Sequence, residues 1–350
     1  MKALEDEMFG WIRKNRDQCA FNLTNSGFPE PDLTKFGINT EYRDYMREMK
    51  EIPEMFREEV ARIYHIGTEN VMATCGGTGA IFLANAYFRD KTSTVYVPPL
   101  EYMPMFLTPQ SMDMSVIFRL PEYSDMKKEP ILFEFTNPNN PTGLRIDDSR
   151  IGEIMQEMDE TGGFIYADET FRHFSLAENP GTIFNSSGNI IVSNTMTKFY
   201  GIGNLRIGWM IANEDIIRDL SNLKDIVTAE VSSYSLWIAV QILRNRGKFI
   251  QFAGGILKKN MSTLARFIHE NPRLECDTPE ISSIAYIRYD SKIESVMLST
   301  DLLKKTGVLV VPGKYFHGEN GFRVCMTSKP DVFAEAMERI SRYLSDKLRQ

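Results

Sequence analysis

The segment ILFEFTNPNNPTG (Ile131–Gly143) decides how this chain folds. A short run rich in apolar and aromatic residues ends in a turn that holds two prolines. Proline fixes φ and has no N–H, so neither a helix nor a central strand can carry the run onward. The segment therefore reads as a buried strand stopped by a rigid turn. The pattern recurs on both sides. NVMAT (70–74) runs into the glycine loop CGGTGA (75–80) and the apolar helix AIFLANAYF (80–88). STVYV (93–97) and SVIF (115–118) read as strands, GFIYA (163–167) stops at Asp168, and NIIVSN (189–194) stops before TMTK (195–198). Helical spacing predicts helices over 3–17, 40–49, 53–64 and about 147–160, the third with Pro53 at its start. Alternation of strand, turn and helix implies an α/β fold with a mostly parallel, buried sheet. The last hundred residues change character. SSIAYIRYD (282–290), a helix at 293–305, VLVVP (308–312), GFRVCMT (321–327) and a final amphipathic helix at 331–346 suit a smaller α+β unit.

The whole chain is consistent with this reading. At 350 residues it is long enough for two domains or one large one. Hydrophobic residues at 43% and charged residues at 25% exclude disordered and low-complexity scaffolds. A net charge of −7 argues against a dedicated nucleic-acid binder, which needs a basic surface to displace counterions. No run approaches the roughly 18 apolar residues that span a bilayer. The opening MKALEDEMFGWIRKNRDQ is charged throughout, so a cytoplasmic location is expected, with no membrane partner. Cys19, Cys75, Cys276 and Cys325 are too far apart for a zinc knuckle or a redox pair and read as buried small hydrophobes. The four histidines also lack metal-ligand spacing, so no metal site is expected.

In open α/β sheets, ligands bind outside the carboxyl ends of the strands. Four strand ends carry polar groups here: Gly76–Gly79, Asn137–Gly143, Asp168, and Thr195–Lys198. Glycines opening a helix expose backbone N–H groups at its positive end and can cradle a phosphate; the same residues also suit a plain tight turn. Asp168 alone would suit a helix cap as well as a catalytic carboxylate. Together the four ends offer an anion site, a base and an amine in one pocket.

Spacing sharpens this set. Asn140 precedes Asp168 by 28 positions, Lys198 follows Asp168 by 30, and Arg206 follows Lys198 by 8. With NPNNPTG, YADETF, SNTMTKFYGIGNLRIGW and GFRVCMT, and CGGTGA before them, the chain resembles the class I/II aminotransferases over about 65–326. These are pyridoxal 5′-phosphate (PLP) enzymes of fold type I. The resemblance implies a large PLP-binding domain at 36–250, its mostly parallel sheet flanked by helices, and a smaller α+β domain built from both termini, 1–35 and 251–350. It also implies amino-group transfer between an L-amino acid and a 2-oxo acid in amino acid metabolism and biosynthesis, and a homodimer with active sites at the interface.

The same resemblance assigns roles. Lys198 matches the lysine that forms a Schiff base with the cofactor aldehyde and then moves the substrate proton. Asp168 matches the carboxylate facing the ring nitrogen, where an opposite charge favours the protonated form. Asn140 matches the donor to the ring oxygen and also borders the substrate. Tyr102, in VPPLEYMPMF, matches the aromatic that stacks on the ring. Gly77, Thr78, Thr195 and Arg206 match the phosphate cup. Arg323 matches the grip on the substrate α-carboxylate, which orients the bond that breaks. Gly27 and Phe28 occupy the loop that approaches substrate, and Tyr42 or Tyr45 would reach the partner's phosphate.

One position departs from the family pattern. Three residues after the aspartate the family usually has tyrosine, and here Phe171 stands. Without a hydroxyl donor to the ring oxygen, the Lys198 Schiff base should keep its proton to higher pH than in tyrosine-bearing relatives. A spectrophotometric pH titration measures this; a Schiff base already deprotonated at neutral pH would contradict it. Phe171 and TKFY are also similar to threonine-phosphate decarboxylase, which makes decarboxylation the alternative reaction, and histidinol-phosphate aminotransferase is another relative of similar length. Dicarboxylate-specific relatives use a second arginine from the neighbouring subunit, but TAEVSSYSLW (228–237) has none. A ligand sensor fused to a DNA-binding segment is disfavoured by the negative charge and by the few residues before the large domain.

Overall fold

The computed structural model describes residues 1–186, 188–277, 279 and 281–347. Position 187 of the expected large domain, and positions 278, 280 and 348–350 of the expected small one, lie outside the described residues. In chain order the chain forms α1 (Glu7–Asn15), β1 (Phe21–Asn22), α2 (Tyr42–Glu48), α3 (Ile52–Tyr64), β2 (Val71–Thr74), α4 (Gly76–Phe88), β3 (Thr94–Val97), α5 (Met103–Ser111) and β4 (Ser115–Phe118). The short α6 (Tyr123–Met126), β5 (Leu132–Thr136), α7 (Asp148–Thr161), β6 (Phe164–Asp168), β7 (Ile190–Thr195) and β8 (Gly208–Ile211) follow. Then come α8 (Glu214–Val227), α9 (Ser233–Arg244), α10 (Arg246–Glu270), β9 (Leu274–Glu275), β10 (Ile284–Tyr289), α11 (Ser295–Thr306), β11 (Val308–Leu309), β12 (Val311–Pro312), β13 (Gly321–Cys325) and α12 (Pro330–Lys347).

Seven strands form one sheet in the order β2-β8-β7-β6-β5-β3-β4. β8 runs antiparallel to both its neighbours and the other six strands share one direction. The strands with the most apolar sequence lie in the middle. β5, β6 and β7 are buried along nearly their whole length, whereas β4, at the edge, is half-exposed. Alternation along each strand sorts side chains to two faces. Phe133, Phe135, Ile165, Ile190 and Val192 pack in a core with α3, α9 and α10, while Leu132, Tyr166, Ile191 and Met210 join a second core with α4, α5 and α8. Each fully buried Phe or Ile of these layers contributes about 1.5–3 kcal/mol relative to exposure.

A separate four-stranded antiparallel sheet, β12-β13-β10-β9, is backed by α10, α11 and α12. β1 from the amino-terminal part pairs in parallel with β11, so both ends of the chain meet beside this second sheet. The expected boundary at 250 falls inside the 25-residue helix α10. No helix among the described residues is long and apolar enough to cross a membrane. The expectation for the cysteines needs correction: Cys325 is buried, but Cys19, Cys75 and Cys276 keep partial exposure because they sit in turns and at an element end rather than on core faces.

Candidate active site

Because β2, β3, β5, β6 and β7 are parallel, their carboxyl ends open on one edge of the sheet. Asp168 closes β6 and is buried. Its Oδ1 accepts from the Thr170 amide at 3.0 Å and from the Thr170 hydroxyl at 2.5 Å. Burial pushes this carboxyl up, and the Thr170 bonds and the Lys198 charge pull it back. Lys198 follows β7. Desolvation, and then the Arg323 guanidinium beside it, lower its amine to about 8. The amino-terminal loop lies directly on this lysine. The Phe28 amide donates to the Lys198 carbonyl at 2.9 Å, and a Cβ on Gly27 would stand 2.7 Å from Lys198 Cα. Only glycine permits that approach, so Gly27 packs directly against the Lys198 backbone.

Arg323, on β13, reaches the same place from the second sheet. It is buried; its Nη1 donates to Asn140 Oδ1 at 2.8 Å and its Nη2 to the Thr24 carbonyl at 2.9 Å. Its Nε has no hydrogen-bond partner, and no carboxylate pairs with it among the described residues. A guanidinium held this way, with neutral partners only, carries an uncompensated buried charge, which is costly until an anion arrives. Asn140 is fixed in turn by its amide, which donates to Thr136 Oγ1 at 2.7 Å. Tyr102 precedes α5 and is half-buried; burial and the Asp6 and Asp168 carboxylates push its hydroxyl up, while Arg323 and Arg206 pull it down. Tyr102 thus lies within the field of Asp168 and Arg323, as Lys198 does.

The glycine loop leaves open backbone donors beside an arginine. Gly76 adopts φ +72°, and Cys75, before α4, makes no side-chain cap, so the first-turn N–H groups of α4 stay open. A Cβ on Gly76 would stand 2.6 Å from Arg206 Nη2, so the fork of Arg206 lies over this helix end. Thr78, in the first turn, is exposed. A Cβ on Gly77 would touch the Thr195 side chain at 3.6 Å. Thr195 lies beside this helix end. Its single hydroxyl proton points to the Ile207 carbonyl at 2.9 Å, and its oxygen accepts from the Thr197 amide at 3.3 Å. Thr197, with Oγ1 3.0 Å from Thr195 Oγ1, is the adjoining hydroxyl that the sequence reading passed over.

Three further placements bear on the expectations. Phe171 is buried with its ring stacked near Phe174, centroids 5.9 Å apart, and brings no hydroxyl to the site. Tyr45 is buried, its hydroxyl 2.6 Å from Ser233 Oγ, whereas Tyr42 is exposed. Glu101 was not singled out from sequence at all, yet it is fully buried one residue before Tyr102; burial pushes its carboxyl up to about 8 against the pull of Thr136 and the Tyr102 amide. Its partners are distant in sequence, and an acid in an apolar loop gives no local signal.

The set fits PLP. A partly desolvated amine of lowered pKa, a buried carboxylate at a strand end, an open helix N-terminus beside an arginine fork, and a buried arginine without its anion converge on one sheet edge. Known proteins match accordingly. A family model described as aminotransferase class I and II matches residues 47–340. An aspartate aminotransferase of Streptomyces avermitilis is 24% identical over 95% of this chain and 90% of its own length. A histidinol-phosphate aminotransferase of Brachyspira hyodysenteriae is 21% identical over 97% of each. Among solved structures, a PLP-dependent aminotransferase from Streptococcus suis superposes with a TM-score of 0.86 at 21% identity, covering 99% of both chains. A Thermus thermophilus aspartate aminotransferase variant gives 0.80 at 18%, over 98% of this chain and 97% of that one.

Proposed function

The chain belongs to the aminotransferase class I and II family, whose cofactor is PLP, and from this premise we propose that Lys198 anchors that cofactor while amino groups pass between an L-amino acid and a 2-oxo acid. When bound, PLP supplies an aldehyde to take up the amino group and an electron-withdrawing ring that acidifies the substrate Cα–H. The chain's residues do the rest. The fork of Arg323 receives the α-carboxylate and, with Asn140, fixes which Cα bond faces the lysine. Lys198 Nζ takes the proton from Cα and returns it on the far side of the transfer, a task its lowered pKa suits. Asp168 holds a negative charge for the protonated ring nitrogen. Gly77, Thr78, the Thr197 hydroxyl and Arg206 would hold the phosphate, with Thr195 shaping the cup from behind.

The observation that carries this reading is the buried Arg323 guanidinium without a carboxylate, beside an amine whose pKa burial lowers. Residues 36–250 would form the cofactor-binding domain, and 1–35 with 251–350 the small one; the two separate sheets support this division. We also read the chain as a homodimer. The exposed Tyr42 and Met46 of α2, Met49 just after it, and Ile226 and Val227 at the end of α8 offer apolar surface for a second copy, and the exposed Tyr42 is the tyrosine placed to cross. The test is a panel of the twenty proteinogenic L-amino acids with 2-oxoglutarate, pyruvate or glyoxylate as acceptor. The expected product is the amino acid of the acceptor. Carbon dioxide released without transfer would establish the decarboxylase reading instead.

A further inference from the structure

Glu101 has no place in the scheme above, yet it is fully buried and the structure gives it four hydrogen bonds. Its Oε1 accepts from the Tyr102 amide at 2.7 Å and from the Thr136 hydroxyl at 2.5 Å. Its Oε2 accepts from the Thr136 amide at 2.9 Å and lies 3.4 Å from Asn139 Nδ2. Every partner donates, and no cation pairs with the carboxyl among the described residues. Burying a carboxyl in this way is costly, and a loop that needed only a cap could use serine or asparagine at less expense.

The bonds lead to the carboxylate grip by two routes. In the first, the Thr136 hydroxyl spends its only proton on Glu101, so its oxygen is turned to accept from the Asn140 amide at 2.7 Å. Asn140 Oδ1 then accepts from Arg323 Nη1. In the second, the Glu101 amide donates to the Phe316 carbonyl at 3.1 Å, and the Phe316 ring lies beneath the Arg323 guanidinium, 5.0 Å from its centroid. Glu101 thus ties together the loop before α5, the Asn-Pro turn after β5 and the segment leading into β13, its side chain serving the first route and its backbone amide the second. These three pieces come from both sheets, and no other contact described here joins them to Arg323 on both sides.

We propose that Glu101 is a positioning residue that sets the Asn140–Arg323 grip on the substrate α-carboxylate, acting through the Thr136 hydroxyl. This rests on the reading of Arg323 given above. The prediction is specific in kind. Glu101→Gln puts an amide N–H₂ where two donors now point, and Thr136→Val removes the relay hydroxyl while keeping shape. In the PLP-loaded enzyme, each should raise KM for the amino acid that reacts fastest in the twenty-member panel by about 10- to 100-fold, with kcat changed less than about 3-fold. Because both act in series, the double variant should be no worse than the poorer single one. Thermal midpoint and the PLP dissociation constant of the apoprotein, read by tryptophan fluorescence, report structural damage separately.

Three results would overturn the proposal while leaving the proposed function intact: unchanged KM in both variants, effects that multiply in the double variant, or a loss confined to thermal midpoint and PLP affinity. Failure of the reading itself would look different, since wild-type enzyme would then react with none of the twenty amino acids.

Discussion

Lys198→Ala is expected to lower kcat for amino-group transfer by about 10³–10⁴-fold, the scale on which a positioned proton carrier contributes. The fold should survive, because the side chain is only partly buried and makes no hydrogen bond that holds an element in place. The reason for the size of the effect is the state of the amine. Desolvation, and then the Arg323 charge, bring it to about 8, so near neutral pH the free base is on the order of 10² times more abundant than for an ordinary lysine. The sign with pH follows. In the apoprotein the reactivity of this amine should rise as pH passes through about 8, some two units earlier than for surface lysines. Stopped-flow rates in single turnover and pH-dependent acylation of the apoprotein measure the two effects. A variant that retains wild-type rates would remove Lys198 from the chemistry.

Asp168→Asn should cost about 10²–10³-fold in kcat, as expected when one preorganised charge is withdrawn from a buried site. The substitution is nearly isosteric, and the amide oxygen can still accept from the Thr170 amide and hydroxyl, so little of the loss should come from altered structure. A second readout isolates the charge. Asp168 is among the groups that raise the Lys198 amine, whereas Arg323 lowers it. Neutralising Asp168 should therefore move the Lys198 pKa below about 8, and Arg323→Leu should move it up. Opposite shifts in the two variants would establish that these groups share one field; parallel shifts would mean that each acts only by disturbing the fold.

Much of this site was legible before the fold was known. A parallel sheet must deliver its polar residues at strand ends, and apolar runs that stop at glycine, proline or an acid mark those ends. NVMAT, ILFEFT, GFIYA and NIIVSN became β2, β5, β6 and β7 within a residue or two. β8 gave no separate signal, because Gly208–Ile211 follows so closely on the Lys198 loop that it reads as part of it. What stayed hidden depends on contacts between distant positions. Glu101 meets Thr136 across 35 positions and Arg323 meets Asn140 across 183, and no local pattern encodes either pair. Thr195 is legible by its offset from Lys198, but its hydrogen bond to the Ile207 carbonyl, twelve positions on, has no local signal.

The central claim is a covalent one, and it has a direct test. Reduction of the PLP-loaded protein with borohydride, followed by proteolysis and mass spectrometry, should place a single pyridoxyl group on the peptide that carries Lys198, with none in Lys198→Ala. A pyridoxyl group on any other lysine, or on none, would contradict the account.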